Sequence, residues 1–156
     1  MANSSKPSLV VVIPTPIWAA LILAALDFAG ALLGWQSGGP QSSVGGIAII
    51  ALGLAFSAWG VLTFRGAGTE VQPSSPTNKV LVTHGPYALT RNPMYVGMVT
   101  ITLGVALLVG APLLFAAPVL LFLLDNFIII PFEEAKMERQ FGDAFRAYKA
   151  RVRRWI

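Results

Sequence analysis

The chain has no cysteine and a single histidine among its 156 residues. The first absence excludes disulfides, iron–sulfur clusters and thiolate zinc sites. The second removes any cluster of imidazole metal ligands. Charge is also scarce: 12% of residues are Asp, Glu, Lys or Arg, against about 25% in an ordinary soluble domain. In their place stand 55% hydrophobic residues and a mean hydropathy of +0.69. They come in blocks long enough to cross a hydrocarbon layer of about 30 Å, which takes about 20 helical residues. The composition is that of an integral membrane protein, and residues 1–156 are expected to form one all-α domain. The net charge of +4 does not point to nucleic acid, because no recognition module accompanies it. Its basic residues lie beside apolar spans, where anionic lipid headgroups account for them.

Four transmembrane helices and an interfacial one are expected. Residues 1–16 hold Lys6, a short apolar run from Leu9 to Ile13, and Pro14 and Pro16, which suit an extended or interfacial lead-in. A first span follows from about Ile17 to Trp35. It is too long for a signal-peptide core and is broken by Asp27, so a retained helix is expected. Gly30 and Gly34 near its end form a small-xxx-small pair suited to close helix packing. Gln36–Ser43 reads as an uncharged turn and Val44–Phe64 as a second span. Pro73, Pro76, Pro86 and Pro93 then keep residues 65–93 from forming a long helix. A third span runs from about Met94 to Val109 and a fourth from about Leu113 through Ile130, past Pro131, into the charged segment FEEAKMERQFG. Asp143–Trp155 has Phe145, Tyr148 and Val152 at spacings of three and four among basic residues, the pattern of an amphipathic helix lying in the membrane interface.

Arg65, Lys79 and Arg91 lie between spans two and three and seven basic residues follow span four, while connections 36–43 and 110–112 carry none. Under the positive-inside rule both termini are cytoplasmic. The long loop and the Glu-rich tail then share one membrane side, where chemistry is expected.

Glu133 and Glu134 follow a helical run and emerge near the membrane boundary. Adjacent helical carboxylates point about 100° apart, so one can face inward and the other outward. Asp27, Asp125 and Asn126 lie within spans, where ionisable and polar groups usually face the bundle interior. Asn126 and Glu133 are seven apart, nearly one helical stripe, and are expected to line one cavity or to make structural interhelical hydrogen bonds. Arg91, Asn92 and Tyr95 sit where the long loop enters span three, beside the free N–H groups of a new helix. They read either as a ligand site or as an interfacial anchor of arginine and aromatics.

LVTHGPYALTRNPMYVG (81–97) and EEAKMERQFGDAFRAYKARV (133–152), in this order and spacing, resemble the integral-membrane methyltransferases of the isoprenylcysteine carboxyl methyltransferase and phospholipid methyltransferase family. The resemblance covers roughly the C-terminal half. It implies a small helical membrane fold in which S-adenosylmethionine enters from the cytoplasmic side and a lipophilic acceptor, drawn from or resembling the membrane lipids, arrives from the bilayer. Carried over by position, it implies a cofactor site of Lys79, Val80, Leu81, Val82, Tyr87, Asn92, Pro93, Met94, Tyr95 and Glu133. Glu133 would pair with the cofactor ammonium, residues 80–82 would pack its adenine, and Glu134 is the nearest candidate base for a protic acceptor.

The chain has Arg91-Asn92-Pro93 where many relatives read Arg-His-Pro, and Ile129 where prenylcysteine enzymes carry an arginine. Without that cation a carboxylate acceptor lacks its obvious partner, so prenylcysteine itself is not the expected substrate. Two other readings remain open from the residues: an NADPH-dependent membrane reductase of the related sterol reductase type, and a non-catalytic adaptor holding lipids with its basic tail.

Overall fold

A computed structural model describes residues 9–35, 43–68 and 80–156, all of them helix, turn or irregular chain. One helical turn, α1 (Leu9–Val12), leads through Pro14 into α2 (Thr15–Leu32). α3 (Ser43–Gly66) and α4 (Pro93–Val109) follow, then α5 (Ala116–Leu124), a π turn (Asp125–Ile129), α6 (Ile130–Phe141) and α7 (Asp143–Arg151). Short 3-10 turns at Gly85–Ala88 and Pro112–Phe115 precede α4 and α5. Three stretches are long and apolar enough to cross a membrane, Thr15–Leu32, Val44–Gly66 and Pro112–Phe141, and α4 is a shorter apolar helix beside them. Their outward faces carry Leu21, Phe28, Leu52, Leu62 and Phe127, each about half exposed or more, as lipid-facing residues should be. This is a helical membrane bundle.

Its tightest contact joins α3 and α4, which run antiparallel, and glycines make it possible. Gly46, Gly53 and Gly60 recur every seven residues on α3, as do Gly97 and Gly104 on α4. A seven-residue repeat keeps one seam facing a partner helix. A Cβ added at Gly97 would fall 2.0 Å from Ser57 Oγ and 2.6 Å from the Gly53 carbonyl oxygen; at Gly104 it would fall 2.7 Å from Ile50 Cγ1. With lipid outside supplying no hydrophobic drive, close backbone packing of this kind holds membrane helices together. Ser57 Oγ adds a hydrogen bond to the Met94 carbonyl across the seam.

The pair Gly30 and Gly34 has another use. Gly34 is left-handed, at φ 72°, with open space around it. Gly34 N–H donates to the Ala31 carbonyl and Trp35 N–H to the Gly30 carbonyl at 2.8 Å, which is the Schellman stop of α2. Asp27 also departs from expectation, since it lies on the exposed side of α2 and not in the bundle interior.

Pro131 does not break the last span. Proline has no N–H and crowds the carbonyl four residues back, and here the helix widens just before it: Ile130 N–H reaches back five residues to the Asp125 carbonyl. A π turn takes in one extra residue, so side chains eight apart across it share a stripe, where an α-helix would align those seven apart. Asn126 is thereby brought into register with Glu134 and not with Glu133.

Finally, α7 ends at Arg151, and Val152 is extended. Phe145 and Tyr148, the apolar positions of the amphipathic pattern, are buried within the protein.

Candidate functional site

The irregular segment 80–92 is held from two sides. On the helix side, Phe64 of α3 packs on the Tyr87 ring at 4.9 Å between centroids. On the tail side, Tyr148 donates its hydroxyl to the Tyr87 carbonyl at 2.7 Å. Burial pushes both tyrosine hydroxyls above the ordinary phenol range; the neighbouring Tyr148 and Glu133 add to this for Tyr87, and the Arg91 guanidinium opposes it for Tyr148. Both therefore remain protonated donors at neutral pH.

The last residues, 152–156, form a strap across the start of α4. Arg91 N–H donates to the Arg153 carbonyl at 2.9 Å. The Thr90 hydroxyl and the Asn92 side-chain amide both donate to the Arg154 carbonyl, at 2.9 and 3.0 Å. The Arg91 guanidinium bonds the carbonyls of Lys149 and Val152. Trp155 donates its indole N–H to Asn126 Oδ1 at 3.0 Å and packs on Phe122.

At the centre of this network lies Glu134, whose side chain is 12% exposed. Its Oε1 accepts from Arg91 Nη2 at 2.7 Å and its Oε2 from Arg154 Nη2 at 2.6 Å. Arg154 also reaches the carbonyl and the side-chain oxygen of Asn126. Asn126 thus belongs to the structural network around Glu134, as the π-turn register requires.

Glu133 points the other way. Its Oε1 accepts from the hydroxyl of Tyr95 at 2.7 Å. Lys136 is a nearby positive charge. Tyr95 packs with Ile129 and Ile130 in a buried cluster that Trp18 and Trp155 flank.

Between these groups is a cleft of about 770 Å³, its open mouth included. Of the residues singled out in the sequence, Val80, Leu81, Val82, Tyr87, Asn92, Pro93, Met94, Tyr95, Glu133 and Glu134 all line it. Lys79 lies outside the described residues. His84 does not line it; it precedes the 3-10 turn in extended conformation. Arg91, singled out with Asn92 and Tyr95, lines it too, as do Phe64, Lys136, Met137, Phe145 and Tyr148. Phe145 and Tyr148 are legible in the sequence only as an amphipathic face, and their spacing of three does not say whether lipid or protein covers it. The part played by Arg154 and Trp155 has no signal there beyond charge and aromaticity.

One atom in this cleft is unsatisfied: the Tyr87 hydroxyl is buried without a hydrogen-bond partner among the described residues. Buried polar groups are almost always bonded, so a donor left over on a cleft wall marks a place for a ligand acceptor. The cleft offers an apolar wall at 80–82, a carboxylate at Glu133 and this free hydroxyl. Together they suit a ligand with a flat apolar part, a cationic group and polar edges.

The sequence model of the phospholipid methyltransferase family matches residues 42–144, from the start of α3 to the start of α7. An uncharacterized protein of Haemophilus influenzae (strain ATCC 51907 / DSM 11121 / KW20 / Rd) is 36% identical over 63 residues, which are all of that protein and 40% of this chain. No solved structure matches.

Proposed function

The chain belongs to the phospholipid methyltransferase family, and we propose from that premise that it transfers a methyl group from S-adenosylmethionine to a lipophilic acceptor at the cytoplasmic face of the membrane. Family membership carries the coarse statement, a membrane methyltransferase acting on lipid-like substrates. The finer one is supported above all by one contact: Tyr95 and Glu133, 38 positions apart, meet at 2.7 Å in the cleft lined by residues 80–82.

The donor supplies an electrophilic methyl on a sulfonium. Displacement at such a carbon needs alignment and the exclusion of water, and no covalent nucleophile from the protein. Glu133, held by Tyr95, is the group for the cofactor's ammonium. The Val80–Val82 wall takes the adenine, and the unsatisfied Tyr87 hydroxyl is available to an acceptor atom of the ligand. Asn92 acts from behind: its amide is committed to the Arg154 carbonyl, which fixes the first turn of α4, where unbonded backbone N–H groups can receive the ligand's carboxylate.

Glu134 is the nearest carboxylate for a base. Serving as one would mean surrendering bonds to two guanidinium groups. We therefore assign it the positioning of Arg91 and the strap, and leave proton removal from a protic acceptor to other groups or to solvent.

Calorimetric titration of the detergent-solubilised chain with S-adenosylhomocysteine tests the reading. Binding is expected, and Glu133→Ala should weaken it by tenfold or more, the loss of about one charge-assisted bond. Absence of binding by the unmutated chain, with a thermal shift on adding NADPH, would replace the methyltransferase with a reductase.

A further inference from the structure

Among the described residues, the cleft lining holds two cations, Arg91 and Lys136, and the reading above gives neither to the ligand. Arg91 is committed within the protein. Its Nη2 meets Glu134 Oε1 at 2.7 Å and its Nη1 bonds the carbonyls of Lys149 and Val152. The carboxylates of the helical tail are also largely taken. Glu134 is held by Arg91 and Arg154, Glu138 by Lys149 at 3.1 Å and Arg146 at 3.7 Å, and Asp143 by Arg146.

Lys136 shares its face of α6 with Glu133. The two are three residues apart, which on a helix sets their Cβ atoms about 5–6 Å from one another, and both line the cleft. Helical side chains lean toward the N-terminus, so the long stem of Lys136 lies over the turn that carries Glu133. Lys136 has an interaction of its own within the protein, and an ammonium with three donors accommodates a ligand beside it. One wall of the cleft thus presents a carboxyl group and a cation side by side. An α-amino acid group carries the reverse, an ammonium and a carboxylate on one carbon. The facing wall is the first turn of α4, which the Tyr95–Glu133 bond brings to within 2.7 Å and whose N–H end also favours an anion.

We propose that Lys136 binds the carboxylate of the methyl donor, so that Lys136 and Glu133 together select a ligand whose amino-acid part is zwitterionic. This deepens the methyltransferase reading and rests on it. Glu133 alone would hold any amine of the right length. Adding Lys136 makes the carboxylate a requirement, and two anchors on the amino-acid end fix it against rotation. The sulfonium carbon at the other end of that short chain is then held in one place for the acceptor, which is what a displacement reaction asks of its site.

The test is titration of the full-length chain in detergent with S-adenosylhomocysteine and with its decarboxylated analogue, which keeps the ammonium and lacks the carboxylate. The unmutated chain should bind S-adenosylhomocysteine about tenfold more tightly, the worth of one charge-assisted bond. Lys136→Gln should cost S-adenosylhomocysteine about tenfold and the analogue less than about twofold, which erases the preference. Lys136→Arg, which keeps the charge, should keep the preference. A preference that survives Lys136→Gln overturns the proposal. So does an equal loss for both ligands, the result expected of a lysine that only offsets the charge of Glu133. If the Gln variant does not fold, an unmutated chain that binds the two ligands equally overturns the proposal just as well. Each of these results leaves the methyltransferase reading intact, whereas an unmutated chain that binds neither ligand removes that reading and this one together.

Discussion

Replacing Arg154 should unfasten the strap, and its cost can be set against an internal control. Arg154 donates to both oxygens of Glu134, at 2.6 and 3.2 Å, and to the carbonyl and side-chain oxygen of Asn126. Hydrogen bonds to charged groups contribute about 1.5–3 kcal/mol net each. Arg154→Ala leaves Glu134 its second partner, Arg91, at 2.7 Å, so the carboxylate is not orphaned. We therefore expect a loss of about 2–3 kcal/mol, below the roughly 3–5 kcal/mol for stripping a buried charge of its only partner. Glu134→Gln should cost more, because it leaves two guanidinium groups facing each other without their anion. Arg146→Ala is the control. Arg146 and Asp143 also meet at close range, 2.5 Å, but their side chains are 54% and 97% exposed, and solvent screening leaves such pairs little net effect on stability.

Equilibrium unfolding in mixed micelles, with the three single variants and the Arg154→Ala/Glu134→Gln double, measures all of this. The cycle should show a coupling of about 1–2 kcal/mol, since Arg154 has much less to lose once its anion is gone. Should Arg154→Ala fall within about 0.5 kcal/mol of Arg146→Ala, or the cycle prove additive, the strap is a surface decoration that does not fasten the tail to α4 and α6.

Three further outcomes follow from single atoms. Gly97→Ala places a Cβ 2.6 Å from the Gly53 carbonyl oxygen and should cost about 3 kcal/mol or more through separation of α3 and α4, whereas Gly66→Ala, with nothing within 4 Å, should be neutral or stabilising; unfolding midpoints in detergent compare the two. Gly34→Ala should cost about 1–2 kcal/mol, because an L side chain at φ 72° is strained, and far-ultraviolet circular dichroism during unfolding reads the loss. Tyr87→Phe should have opposite effects on two measurements: removing a buried hydroxyl that lacks a partner leaves ligand-free stability equal or higher by up to about 1 kcal/mol, while calorimetry shows weaker S-adenosylhomocysteine binding. Equal affinity for Phe and Tyr at this position would mean that the hydroxyl is no ligand donor.

Much of this architecture is legible in the sequence because membrane helices announce themselves by length and composition. The third span needs only Pro93 at its start and Gly110 at its end, and Gly110 is indeed the left-handed residue that closes α4. The cleft is legible in a different way, through the two motifs at 81–97 and 133–152. Other features escape for identifiable reasons. Gly30 and Gly34 match a packing motif, yet spacing alone cannot separate a contact glycine from one needed for its backbone; the functional seam lies instead in the seven-residue rhythm of Gly46, Gly53, Gly60, Gly97 and Gly104. Charge in a span usually faces the interior, and Asp27 does not, because composition leaves open which way a helix is turned about its axis. The tail continues a helical pattern through Val152, and its extended course reflects carbonyls of Val152, Arg153 and Arg154 taken by Thr90, Arg91 and Asn92, a tertiary bond set that no local propensity encodes.

The π turn is the feature on which the two carboxylates diverge. In an uninterrupted α-helix, residues seven apart align, so Asn126 would face the cleft with Glu133, and Asp125 would drift off the stripe toward lipid. With one extra residue in the turn, the polar groups sort into two alignments, Asp125 with Glu133 and Asn126 with Glu134. The second is satisfied within the protein, by Arg91, Arg154 and Trp155, and anchors the strap. In the first, Glu133 lines the cleft, while the two buried Asp125 oxygens have no hydrogen-bond partner among the described residues. Pro131 is the physical reason for the widened turn, since it cannot donate to the carbonyl four residues back. Pro131→Ala should therefore permit the ordinary α register. If it does, the structural network and the ligand side would have to exchange residues, and both folding and S-adenosylhomocysteine binding should suffer from a substitution that in most helices stabilises by about 3 kcal/mol. A stabilised variant with unchanged binding would show that the turn's register does not divide the labour between Glu133 and Glu134.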